Sequence, residues 1–326
     1  MAQMLLDKGA DVNVKTAWGD TPLLWAVQSA PAATVQQLLD KGADVNVKNR
    51  LGESPLRFAT QRGHGGMVRM LLDKGADDVN ATVENGDPLL HIAMARGDGD
   101  IVQMLLDEGA DVHTIAKHGA ESGTLLHVAL VRRDGAIVQQ LLDKGANVDI
   151  QTNGQTPLFW AANHGLIAIF QMLLDKGADI NFKHQCGETP FLVAACGGHS
   201  AILQMLLDRG ADDTAQRGYG ETALFGAASG GHAAVVRQLL ARGSADVHAT
   251  TQLGETALGV AADRGHILVV EMLLDKVNSR PETRNPKTST LNLQPTLDQP
   301  SINPQSTLNQ PFINFQSTLN RPSVDP

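Results

Sequence analysis

The residues of this chain that could do chemistry are eleven histidines and two cysteines, Cys186 and Cys196. Imidazole and thiolate bind zinc and take part in nucleophilic catalysis, so each invites a metal or catalytic reading. Cys196 and His199 stand three apart, a spacing that can bring two ligands together on a helix. Tetrahedral zinc needs more ligands than that, and none follows at suitable spacing. Cys186 falls in a turn, and both cysteines are read as incidental, with no metal expected. The chain contains no phosphate-cradling glycine loop, no Gly-x-Ser-x-Gly elbow and no His-Glu-x-x-His sequence. No catalytic residue and no cofactor are therefore expected.

Residues suited to recognition are more informative than residues suited to catalysis. Trp18, Leu51, Asn85, Asn153, Cys186, Tyr219 and Leu253 each stand just before a recurring glycine, at the tips of turns. Trp and Tyr serve well as binding anchors because they bury a large area with few rotors, whereas packing against a neighbouring turn is the plainer role. Arg62, Arg96 and Arg132 occupy one recurring helix end, with Arg133 beside the last. Stacked repeats would set them in a ladder about 10 Å apart, a basic stripe suited to an acidic partner segment. Cations also favour helix C-termini, which is the competing explanation. Asp20, Glu53, Asp87, Glu188, Glu221 and Glu255 follow the turn glycines and suit the positive ends of helices.

Composition narrows the classes. A net charge of −9 argues against a general nucleic-acid binder, since phosphate neutralisation needs concentrated Lys and Arg. No stretch approaches the roughly 18 uninterrupted apolar residues of a membrane span, so no direct membrane insertion is expected. Met1 to Ala10 lacks a basic region followed by an apolar run. Two cysteines cannot staple a chain of 326 residues; the usage suits a reducing compartment and, almost as well, a stable secreted protein. A monomer in the cytoplasm is expected, with the nucleus also open.

The elements that must position these residues recur. Leu-Leu-Asp-Lys-Gly-Ala-Asp-Val-Asn at Leu5 to Asn13 returns at Leu38 to Asn46, and in altered form six more times. Its glycine falls at 9, 42, 75, 109, 145, 177, 210 and 243, giving intervals of 33, 33, 34, 36, 32, 33 and 33. In one period Thr189 suits an N-cap and Pro190 the first helical position. Gly198-His199 breaks the chain, and Ile202, Leu203, Leu206 and Leu207 line one face of a second helix. Gly210 is the expected left-handed stop, followed by a polar projecting turn.

This pattern resembles the ankyrin repeat family. Weakened Thr-Pro-Leu-His motifs stand at Thr21 to Leu24, Thr156 to Phe159 and Thr189 to Leu192, and the histidine survives at His91 and His127. The Gly-His pair survives at His64, His199, His232 and His266. The resemblance implies an all-α solenoid of helix–turn–helix repeats with projecting β-turns, a concave binding side and no catalysis. It also implies that those six histidines hydrogen-bond within and between repeats. Asn13, Asn46, Asn80 and Asn181 match the turn asparagine that such repeats can present to an asparagine hydroxylase.

The organisation expected is a partial repeat over 1–18, about eight repeats over 19–276, and a disordered tail over 277–326 with an 11-residue period. Periodicity stops where Val277 replaces the glycine. The start within a repeat suggests an incomplete N-terminus or a formerly longer array. Asp77-Asp78 and Ser244 read as one-residue insertions, and the turn between Asp111 and Thr124 is longer by three, with Ile115, Lys117 and His118 as a candidate protrusion. The function expected is a protein-interaction scaffold binding on its concave surface. The alternatives are the recognition segment of a larger signalling receptor or ubiquitin-ligase adaptor and, remotely, an enzyme.

Overall fold

The computed structural model describes residues 10–83, 86–116 and 123–278. Lys117, His118, Asn85, Met1 to Gly9 and the tail from residue 279 lie outside them. Contacts divide the chain into a unit from Met1 to Arg280 and a second from Pro281 to Pro326, and the described residues all fall in the first.

Among the described residues that unit is a run of eight helix pairs. The first helices are α1 (Pro22–Ser29), α3 (Pro55–Arg62), α5 (Leu89–Arg96), α7 (Leu125–Val131), α9 (Pro157–Asn163), α11 (Pro190–Cys196), α13 (Ala223–Ser229) and α15 (Ala257–Asp263). The second helices are α2 (Ala32–Asp40), α4 (Gly65–Asp73), α6 (Gly99–Asp107), α8 (Gly135–Asp143), α10 (Ile167–Asp175), α12 (Ser200–Asp208), α14 (Ala233–Arg242) and α16 (Ile267–Asn278). Each first helix touches the next first helix and each second helix the next second, so two layers share one core. None of these segments could bury its apolar stripe alone; the neighbours supply the other wall. Leu23, Leu71, Phe159, Phe170 and Phe191 are sealed between them.

Local chemistry starts and stops the helices. Thr21, Ser54, Thr124, Thr156, Thr189, Thr222 and Thr256 each accept from the backbone N–H three residues on. Among the first helices only α5 departs from this, capped by Pro88 without a side-chain bond. Gly210 takes φ +77°, the left-handed stop expected of it. Where Val277 stands in its place no left-handed stop forms, and α16 runs on to Asn278 for 12 residues. The helical array thus passes the boundary expected at 277, because a residue with a β-branched side chain continues a helix far more readily than it ends one in αL.

Short antiparallel pairs form the projecting turns: β1 (Ile115–Ala116) with β2 (Gly123–Thr124), and β3 (Gln216–Arg217) with β4 (Glu221–Thr222). Asparagines tie turn to turn. Asn46 accepts from Asp77 N–H at 3.1 Å and donates to Gly75 O at 3.0 Å, and Asn13, Asn80 and Asn181 accept likewise from Asp44, Asp111 and Asp212. On the second helices the Asp-Lys of the repeated string pairs across repeats, Lys74 with Asp40, Lys144 with Asp107 and Lys176 with Asp143. The lysine bonds hold all three carboxyls below the usual carboxylate range.

Candidate functional site

Three of the turn tips are closed from within by the side chain that heads the turn. Thr16 Oγ1 accepts from the N–H groups of Trp18 and Asp20, Asn49 Oδ1 from those of Leu51 and Glu53, and Thr251 Oγ1 from those of Leu253 and Glu255. The middle side chain of each turn has nowhere to go but outward. Trp18 is 68% exposed, Leu51 68%, Tyr219 62% and Leu253 73%. Adjacent tips are joined by backbone bonds, Arg50 N–H to Trp18 O at 2.9 Å and Gln252 N–H to Tyr219 O at 2.7 Å. The tips therefore form two apolar ledges, Trp18 with Leu51 and Tyr219 with Leu253. A further large side chain, Trp25 on α1, is also exposed. Sequence reasoning passed over Trp25, although it stands at the residue after the motif histidine position. The same position is buried at Val128 and Val193, so only the structure reveals the exposure.

The arginines do stack, but in a way spacing did not foretell. Arg96 donates to Arg62 O at 3.1 Å and to Gln61 O at 3.3 Å, and its Nε pairs with Asp98 at 2.8 Å. Arg132 donates to Ala95 O at 2.8 Å and Arg264 to Ser229 O at 3.2 Å. Each guanidinium thus caps the orphan carbonyls of the preceding first helix. Arg62 is exposed and among the described residues spends no side-chain donor this way. Arg133 is exposed too, and it holds φ +57° where six other repeats place glycine, a conformation that costs a non-glycine residue roughly 1–2 kcal/mol.

Histidines carry the same cross-repeat duty. His199 reaches Asn163 O at 3.2 Å, His232 Cys196 O at 2.9 Å and His266 Ser229 O at 3.1 Å. His91 and His127 lie buried, and burial pushes both imidazoles below their ordinary pKa. His127 Nδ1 meets Thr124 Oγ1 at 2.8 Å and Thr152 Oγ1 at 2.9 Å, while Nε2 meets Gln155 O at 3.2 Å. His64 is the exception: it is exposed, and its ring makes no such bond among the described residues. The first helix of the preceding repeat, α1, also differs, ending in an extended Ala30.

Cys196 is mostly enclosed in α11, where burial raises its thiol pKa, and His199 is turned away to Asn163. The two do not form a ligand pair. One cluster was missed in sequence. His184, Cys186 and Glu188 bring a nitrogen, a sulfur and a carboxylate oxygen within 4.8 Å of one another. Burial, then the Glu188 charge, pushes the Cys186 thiol up. The alternation His-x-Cys-x-Glu was the available signal, hidden because the equivalents of His184 in other turns close the turn while those of Cys186 point outward.

Ile115, in β1, is 55% exposed at the base of the longer turn. Among the described residues no helix is long and apolar enough to cross a membrane. A family model described as ankyrin repeats (3 copies) matches residues 1–83, 31–116, 90–184, 126–217 and 191–285. None of the curated proteins compared with the chain matches it.

Proposed function

This chain belongs to the ankyrin repeat family, and from that premise we propose a binding scaffold whose protein partner docks on the ledge made by Trp18 and Leu51. Repeats of this family are generally protein-interaction modules, which supports the class of function. The observation that carries the site is the joining of two largely exposed apolar tips by a backbone bond, so that they move as one rigid surface. A preformed ledge loses little freedom on binding, and aromatic anchors dominate such interfaces. Trp25, exposed on α1 of the same repeat, is a second indole open to a partner. Arg62, one repeat on and unspent on capping, suits an acidic residue flanking the partner's apolar segment. Arg96 and Arg132 serve this partner less, since their donors already hold helix ends.

A peptide library selected on the immobilised full chain tests the reading. Selected peptides should carry apolar anchors, and the Trp18→Ala, Leu51→Ala double variant should bind them about 30-fold more weakly, the effect of a hot spot near 2 kcal/mol. Arg62→Glu should weaken acidic peptides while leaving neutral ones unchanged. Peptides whose affinity is untouched by the tip variants would place the binding surface elsewhere.

A further inference from the structure

We propose that the turn from His184 to Glu188 is a binding site for one divalent transition-metal ion of the zinc class. Its protein ligands are His184 Nδ1, Cys186 Sγ and Glu188 Oε2, and its fourth position opens to solvent.

In the turns headed by Thr16, Asn49 and Thr251, the first residue must offer an acceptor to the N–H of the third. His184 occupies that place, and its Nδ1 lies 3.4 Å from Cys186 N–H. The fold therefore points the Nδ1 lone pair inward before any metal is considered. The ring is held there by stacking on Phe159, centroids 5.6 Å apart and planes 24° apart. Gly187 takes φ +85°, and a Cβ on it would come within 3.3 Å of Gln216 O, so the loop is pinned between its two outer ligands.

The carboxylate is oriented by the next repeat. Arg217 Nη1 pairs with Glu188 Oε1 at 2.6 Å, leaving Oε2 toward Cys186 Sγ at 3.4 Å. A ligating carboxylate with its second oxygen held by a hydrogen bond is the usual outer-shell arrangement of metal sites. Arg217 Nε is engaged by Glu221 at 2.9 Å, so one cation faces two carboxylates and the site keeps net negative charge. Two of the three ligands are thus placed by demands of the turn and the helix end. The third, Cys186, falls where four of the other tips carry a large apolar group.

All three donor atoms lie within 4.8 Å of one another, and one separation already suits the ion. Zinc bonds of about 2.0 Å to nitrogen or oxygen and about 2.3 Å to sulfur give tetrahedral edges of about 3.5 Å. The sulfur–oxygen separation of 3.4 Å already matches. The nitrogen–sulfur separation of 2.7 Å must widen, which a rotation of the exposed Cys186 side chain supplies. Nitrogen, thiolate and one carboxylate oxygen favour zinc or cobalt over magnesium or calcium, which take oxygen ligands. Three protein ligands with one open position is the arrangement of sites that accept an outside ligand, here water or a donor from whatever docks at this tip.

Cobalt(II), titrated alone into the full chain under reducing conditions, tests the site through its thiolate charge-transfer band. One equivalent should give the band, and zinc should abolish it by displacement. Cys186→Ser and His184→Asn should both lose it, and His184→Asn should keep its circular dichroism because Asn49 already heads a turn of this kind. Cys196→Ser should retain the band. A wild-type chain with no band, a band surviving in either Cys186→Ser or His184→Asn, or one lost in Cys196→Ser overturns the proposal.

Discussion

At the residue scale, most polar side chains in this chain serve neighbours one repeat away. His127 shows the cost and the reward: an imidazole is buried, and its bonds to two threonine hydroxyls and Gln155 O satisfy its neutral form. Its folded pKa, like that of His91, lies below the ordinary value of about 6.5. The unfolded chain then binds more protons than the folded one once pH drops below 6.5, so the histidine contribution is complete above that pH and is lost below it. Urea unfolding midpoints should fall between pH 7.5 and 5.5. The His91→Gln, His127→Gln double variant, less stable at pH 7.5, should show a much shallower fall. An equal fall in both proteins would assign the pH dependence to other groups. The carboxyls of Asp40, Asp107 and Asp143 lose their contribution in a separate window, below about 4.

At the element scale, the helices are short and gain their stability from the fit between layers. Gly226 in the middle of α13 illustrates it. Glycine inside a helix costs about 0.5–1 kcal/mol relative to alanine, so Gly226→Ala ought to stabilise. A Cβ at this position would, however, run into Cys196 Sγ on α11, and that thiol is itself enclosed. Overpacking of this kind costs about 1–3 kcal/mol and outweighs the helical gain. Gly226→Ala should therefore destabilise, and in a Cys196→Ala background the same change should become neutral or favourable. Denaturant midpoints of the four proteins in this cycle give the coupling directly. Additive effects would show that the two helices yield to each other without strain.

At the scale of the whole array, each repeat rests only on its neighbours, so stability is a chain of local interfaces. Phe170 on α10 is fully buried against that stack. Phe170→Ala should cost about 3–5 kcal/mol at that link and uncouple the repeats on either side. Hydrogen exchange should then accelerate in α8, α10 and α12 while α1 to α4 keep their protection. Uniform acceleration across all helices would mean that the array opens as one cooperative unit.

The sequence by itself determined the repeat, the pairing of helices, the capping threonines and the left-handed glycines, because these follow from interactions within about ten residues. It also marked Trp18, Leu51, Tyr219 and Leu253 as tips, each standing just before a turn glycine; at Trp18, Leu51 and Leu253 an acceptor at the head of the turn closes it and leaves that side chain outward. Tertiary structure alone decided what depends on residues some 30 positions apart. Arg96 and Arg132 cap carbonyls of the preceding repeat, where their spacing had suggested a free basic stripe. Trp25 lies open at a position that buries valine elsewhere. His184, Cys186 and Glu188 converge because Phe159 on one side and Arg217 on the other orient a ring and a carboxylate that local sequence leaves free to turn.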